Sequence, residues 1–356
     1  MTKKRLYRVL SLDGGGIRGL LTAHLLAALE HKLNEKWTAQ RGSPPDKPLR
    51  LAQFFDLVAG TSTGGILACA LLCPDGEEPS RPRYSAREAI SLYRDYGRQI
   101  FSKTLSGRTG IAAIRWSRYD NRPIENILQE KFGDIRLSQL LRPCLITCYD
   151  IEKRRAIFFT SHDAKSKGDM YDYYVRDVAR STSAAPTYFP PHHVVSVGGL
   201  ETSGIDGGLF ANNPTMCAVI EAIKIFGHKT EENRTRLLEI DDLFVLSIGT
   251  GAIKKPYFFR KAQSWGLLSW VAPIIDIMMT GVAETVDYQL RKLYSALQRP
   301  QQYVRIMPQL GTANDDMDDV SPGNLKALDQ AGIQNAYEAD DVLEKVAEML
   351  LKDFEG

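Results

Sequence analysis

Two glycine-rich turns, each set between an apolar strand-like run and an apolar helix-like run, constrain this chain more than any other feature. The first is Asp13-Gly14-Gly15-Gly16-Ile17-Arg18-Gly19. It follows the alternating run Tyr7 to Leu12 and precedes Leu20 to Leu33, where Leu21, Leu25, Leu26, Leu29 and Leu33 fall at helical spacing. The second is Gly60-Thr61-Ser62-Thr63-Gly64, between the short strand-like run Phe54 to Ala59 and the apolar helix Ile66 to Leu72. Strand, tight turn and helix, repeated, build a largely parallel sheet flanked by helices, an α/β fold. Cys144 to Tyr149, Ala156 to Thr160, Leu243 to Ile248 and Tyr303 to Met307 read as further strands. Ala86 to Ile100, Pro123 to Phe132, Val175 to Ser183, Pro214 to Ile225, Val282 to Leu297 and Asn324 to Leu351 read as helical. Leu105 to Asp120 mixes Gly, Arg and Trp without a period and reads as a mobile flap.

Size and composition narrow the function classes. The 356 residues, 44% of them hydrophobic, suffice for one large domain with a real core. The 45 basic and 43 acidic residues are spread along the chain and leave a net charge of +2, without the basic stripe of a nucleic-acid surface. The basic start, Met1-Thr2-Lys3-Lys4-Arg5, leads only into a short run that Asp13 interrupts, unlike a signal peptide. The longest apolar candidate, Trp265 to Met279, carries Gly266, Ser269, Pro273 and Asp276 and is short of the roughly 20 residues a spanning helix needs. A cytoplasmic protein is expected. Trp265, Leu267, Leu268, Trp270, Ile274, Ile275, Met278 and Met279 would form an acyl-binding wall, a membrane-facing surface or a core helix. The five cysteines include Cys69 and Cys73, and Cys144 and Cys148, each pair four apart; they are expected to be small apolar core groups, not a metal site or disulfide framework.

Gly60 to Gly64 matches G-x-S-x-G. A serine on a tight strand-to-helix turn projects its hydroxyl beyond the sheet edge, glycines on either side let the turn close, and the helix dipole favours an oxyanion there. An ordinary turn would use the same residue types, so the flanking strand and helix carry the reading. The triple glycine of the first turn can aim backbone N–H groups into one concavity, an anion site. Fixed donors around a tetrahedral oxyanion lower the barrier by roughly 3–4 kcal/mol each. Gly14, Gly16 and Gly19 also fit the dinucleotide pattern G-x-G-x-x-G. That pattern wants a second strand ending in an acidic residue about 20 residues on. The position falls at Asn34, Glu35 and Lys36, at the end of a helix, which disfavours a nucleotide-binding oxidoreductase.

A conventional triad would need a histidine. His24 and His31 precede Ser62 on the first helix, His162 and His228 sit in polar settings, and only the pair His192 and His193 has a plausible cleft position. Asp206-Gly207-Gly208 has the strand-end and glycine setting of a catalytic residue. A carboxylate can take a serine proton directly when partly buried. The same dipeptide also forms simple turns.

Taken together in this order, Asp13 to Gly19, Gly60 to Gly64 and Asp206 to Gly208, with Ser183-Ala184-Ala185-Pro186-Thr187-Tyr188-Phe189, resemble the patatin-like phospholipase family over about Arg8 to Gly251. The resemblance implies a three-layer fold and a lipid acyl hydrolase with a Ser–Asp dyad: Ser62 as nucleophile, Asp206 as base, and Gly60, Gly64, Gly207 and Gly208 supporting the two turns. It also implies an oxyanion hole of Gly14, Gly15 and Gly16. Arg18, in the same loop, would stabilise it or hold a lipid phosphate. No cofactor or metal is implied. The whole chain, 1–356, would be one such domain with a C-terminal helical part over 252–356. Asp318 to Asn324 resembles a late feature of such proteins and reads as a helix start. Size and architecture further resemble bacterial anti-phage effectors of this family, which a cyclic dinucleotide activates against the cell's own inner membrane. A constitutive hydrolase and a non-catalytic storage or scaffold protein are the alternatives. A homo-oligomer is compatible with the sequence, which fixes no oligomeric state.

Overall fold

The computed structural model describes residues 6–101, 117–229, 235–236, 238–251, 256–352 and 354. Their strands are β1 (Tyr7–Leu12), β2 (Leu57–Gly60), β3 (Cys144–Asp150), β4 (Arg155–Thr160), β5 (His192–Val195), β6 (Glu201–Asp206), the small pair β7 (His228–Lys229) and β8 (Thr235–Arg236), β9 (Leu243–Ile248) and β10 (Tyr303–Ile306). The principal sheet runs β10-β9-β1-β2-β3-β6-β5, with β4 also paired to β3. From β10 to β3 every pairing is parallel, and β4, β6 and β5 are added antiparallel.

Neighbouring residues of each central strand face opposite ways. On one side Val9, Leu57, Leu145 and Val245 pack on α7 (Thr215–Phe226) and α8 (Leu267–Ala296). On the other, Leu10, Val58, Ile146 and Leu246 meet a larger core. Its helices include α1 (Gly19–Arg41), α2 (Thr63–Leu72), α3 (Ala86–Ile100), α4 (Arg122–Phe132), α5 (Ser161–Lys167), α6 (Val175–Thr182), α9 (Pro322–Glu338) and α10 (Asp340–Leu351). Helix, mostly parallel sheet and helix form three layers.

Several expectations change in detail. Helix α1 continues through Asn34 to Lys36 to Arg41, so the second strand of a dinucleotide site has no room there. Trp265 to Met279 and Val282 to Leu297 are not two segments. The single helix α8 covers most of both, because Pro273 removes one backbone donor without ending it. Helix α8 is not a buried core helix: Trp270, Ile274, Ile277 and Met278 are exposed. Residues 105–116 of the expected flap lie outside the described residues. Just after them, Arg118 and Tyr119 donate backbone N–H groups to the carbonyls of Thr187 and Tyr188. Ser321 caps α9, accepting from the Asn324 N–H at 3.3 Å. Cys69, Cys73, Cys144 and Cys148 are buried free thiols, and burial pushes Cys73 and Cys144 up to about 11. Among the described residues no cluster suits a metal ion, and no helix is long and apolar enough to cross a membrane.

Candidate active site

Strand β3 brings the two distant motifs together. Its first half pairs with β2, ending at Gly60 opposite Ile146. Its second half pairs with β6, whose last residue, Asp206, lies opposite Cys148. The turns after Gly60 and after Asp206 therefore meet across Thr147. The Thr61 hydroxyl accepts from Thr147 Oγ1 at 2.8 Å and donates to the Ala211 carbonyl at 2.6 Å, closing that junction.

Ser62 stands between β2 and α2 with φ 54° and ψ −123°. For a residue with a Cβ this backbone is strained by about 1–3 kcal/mol, so its surroundings must hold it there. They do so from both sides. The Ser62 N–H donates to Thr182 Oγ1 at 2.9 Å. Gly64 lets α2 close against β1: a Cβ there would lie 2.3 Å from the Leu12 carbonyl oxygen. Ser62 sits at the N-terminus of α2, where the dipole favours negative charge.

The Asp206 carboxyl is buried beside the Ser62 side chain, and both line one cavity. It also accepts from the Gly208 N–H at 2.7 Å, while the Asp206 N–H donates to the Ala184 carbonyl at 3.1 Å. Burial raises Asp206 to about 6, against the opposing pull of the Ser62 hydroxyl and the Gly208 N–H. The segment around Ala184 thus has a position in the site that its sequence did not disclose: Thr182 holds the serine backbone and Ala184 holds the aspartate backbone. Among the described residues no histidine lines the cavity beside Ser62. His24 faces Asp329 at 2.9 Å and His192 faces Asp177 at 3.4 Å.

The glycine loop lies against Ser62, but not all of its N–H groups are free. Gly14 N–H donates to the Asn212 carbonyl at 3.1 Å, which removes it from the expected donor set. Among the described residues, no acceptor is found for the N–H of Gly15 or Gly16. Gly16 has φ +58°, and a Cβ there would lie 2.2 Å from the Met317 carbonyl. Arg18 turns its guanidinium to the carbonyls of Gly15 at 3.4 Å and Asp315 at 3.2 Å. It braces the loop. The loop's first residue, Asp13, carries a partner missed in the sequence: Arg305, at 292 residues' separation on β10, grips both Asp13 oxygens. Both side chains are 3% exposed, and Arg305 also donates to Ser247 Oγ at 2.7 Å. The Asp13 carboxylate holds the Arg305 guanidinium firmly charged. Only the third dimension relates these two residues, so no local pattern could have flagged Arg305.

Ser62 and Asp206 open onto one apolar cavity. Ile17 and Ile66 line it near the serine, Leu92, Ile100 and Phe101 from α3, Ile124, Ile127, Leu128 and Phe132 from α4, and Ile275 and Met279 from α8. Pro186, Tyr188 and Phe189 close another side. Such a wall suits a hydrocarbon chain and offers little to a polar one.

Residues 10–219 match the family model described as patatin-like phospholipase. The chain belongs to the patatin-like phospholipase family. Rice "Patatin-like protein 2" (Oryza sativa subsp. indica) is 35% identical over 93% of this chain and 84% of its own length. "Patatin-like protein 1" of Arabidopsis thaliana is 32% identical, covering 97% and 81%. "Patatin-04/09" of Solanum tuberosum is 32% identical, covering 91% and 82%. As a patatin-like phospholipase the chain is a lipid acyl hydrolase.

Two stability outcomes follow from the buried charges of this patatin-like phospholipase. Arg305→Met leaves the Asp13 carboxylate alone in the interior, and thermal or urea unfolding should show a loss of about 3–5 kcal/mol. Adding Asp13→Asn should recover much of it; additive losses would count against the pairing. Asp206→Asn should gain stability, on the order of 2–3 kcal/mol at pH 8, because the folded state raises this carboxyl from 3.8 to about 6 and so disfavours the ionised form. The gain is full above pH 6 and fades as the pH falls toward the ordinary carboxylate value. Unfolding of both proteins at pH 8 and pH 4 checks the sign.

Proposed function

We propose that this chain cleaves fatty-acyl esters of membrane phospholipids, as a phospholipase A, through a Ser62–Asp206 dyad and an acyl-enzyme. The observation that carries the reading is a strained serine beside a buried carboxylate, both lining a cavity walled by hydrocarbon side chains. The acyl tail occupies the cavity and puts its ester carbonyl against Ser62 Oγ. Asp206 takes the Ser62 proton as Oγ attacks. The N–H groups of Gly15 and Gly16, aided by the dipole of α2, receive the oxyanion. Protonated Asp206 returns the proton to the leaving alcohol or lysophospholipid. It then takes a proton from the water that attacks the acyl-enzyme and passes it to the departing Ser62 Oγ, which restores the dyad. A carboxyl near 6 is ionised at neutral pH, yet basic enough to accept a proton in flight.

Two finer elements go with this reading. Peripheral access to the inner membrane is supported by the need to reach acyl chains held in a bilayer. Activation by a cyclic dinucleotide in bacterial anti-phage defence is supported by the resemblance in size and architecture, and no side chain is assigned to it. A lipase assay with a panel of cyclic dinucleotides checks that element: a rate increase with one of them is expected, and equal rates throughout leave a constitutive hydrolase.

Ser62→Ala and Asp206→Ala should each lower ester hydrolysis by about 10³-fold or more, with thermal unfolding still cooperative. Full activity in either purified variant contradicts the dyad. For the unaltered chain, kcat/KM should fall as pH drops through about 6 and level off above it, since the base must be ionised. An acid limb near pH 4 would mean that the base is an ordinary exposed carboxylate.

A further inference from the structure

Helix α8 carries two apolar stripes with different fates. Ile275 and Met279, one turn apart, line the acyl cavity. Trp270, Ile274, Ile277 and Met278, at i, i+4, i+7 and i+8, are 39–48% exposed on the outside of the same helix. The segment just before the helix extends this outer stripe. Phe258 and Phe259 are 62% and 75% exposed. The ring of Trp265 stands edge-on to Tyr257 at 5.5 Å and to Trp270 at 5.0 Å, and Tyr257 hydroxyl donates to Asp276 at 2.9 Å, tying the segment to the helix. Large apolar side chains gathered in one exposed patch mark an interaction surface. Aromatic rings and a flanking basic pair, here the exposed Arg260 and Lys261, are the composition of a membrane-interface element.

We propose that this face of α8 and its leading segment is the surface by which the protein docks on a phospholipid bilayer. The partner is chosen by continuity: the helix that presents the outer stripe also walls the cavity, so a chain leaving the bilayer beside Ile274 has only the helix's own thickness to pass. A protein partner would leave that coincidence without a use. The inner stripe holds the acyl chain, and the outer stripe holds the reservoir it comes from. Arg260 and Lys261 meet lipid phosphates, which every phospholipid carries. The proposal rests on the acyl-hydrolase reading above.

The test uses the full chain, phosphatidylcholine vesicles and a soluble short-chain p-nitrophenyl ester. Phe258→Asp with Phe259→Asp, and separately Ile274→Asp with Ile277→Asp, change only exposed side chains outside the cavity. Each pair should reduce vesicle co-sedimentation and vesicle phospholipid hydrolysis by about tenfold or more, as expected for apolar surface denied to lipid. Hydrolysis of the soluble ester should stay within about twofold, which reports intact folding and an intact site. Undiminished vesicle binding in both pairs overturns the docking surface. So does an unaltered chain that cleaves the soluble ester but does not bind vesicles, or an unaltered chain whose self-association the substitutions abolish, which would assign the face to a second copy. An unaltered chain that cleaves neither ester nor phospholipid but still binds vesicles through this face would instead overturn the hydrolase reading.

Discussion

The pairing of Ser62 with Asp206 sets a residue held in strained backbone beside a carboxylate stripped of water. Neither condition is stable alone. A serine at φ 54° relaxes unless its neighbours are locked, and a buried carboxylate at neutral pH opposes folding. The rest of the architecture supplies what the pair needs. Strand β3 fixes the separation of the two turns, Thr61 and Thr147 close the junction, and the segment Thr182 to Ala184 anchors both backbones. This site is therefore a place where stability is spent on reactivity.

The glycine loop depends on a similar long-range arrangement. Its conformation is pinned by Asn212, Thr250 and Met317, which accept from or donate to its backbone. The buried ion pair of Asp13 and Arg305 ties its start to the far strand of the sheet. Such rigidity is what the oxyanion role proposed for this loop would need, since preorganised donors do not reorganise to meet a transient charge. It also explains why Gly14 differs from Gly15 and Gly16. The N–H of Gly14 is consumed in holding the loop, whereas among the described residues the N–H groups of Gly15 and Gly16 have no acceptor.

Much of this was legible in the order of residues because the informative parts are local. A strand running into Gly60 to Gly64 and then into a helix, or Asp206 followed by two glycines, carries its geometry in a few consecutive residues. The alternation of Val9 and Leu10, or Val245 and Leu246, between two faces follows from the strand period. What was not legible depends on residues far apart. Arg305 pairs with Asp13 across 292 positions. The acyl cavity is assembled from α3, α4 and α8, none of which carries a motif. Pro273 and the polar residues near it weaken the local helical signal of α8, whereas the helix also packs on β10 and α7. Its two apolar stripes were visible only as a mixed run of aromatic and aliphatic residues. The direction of each side chain comes from where the helix lies on the sheet.

The proposed dyad requires that Asp206, and no other base, activate Ser62. Labelling with a fluorophosphonate, followed by peptide mass spectrometry, reads that directly. A single labelled serine, Ser62, is expected, with a labelling rate that falls as the pH drops through about 6 and is lost in Asp206→Asn, a variant that remains folded. Label on a different serine, or undiminished labelling of Ser62 in Asp206→Asn, would contradict it.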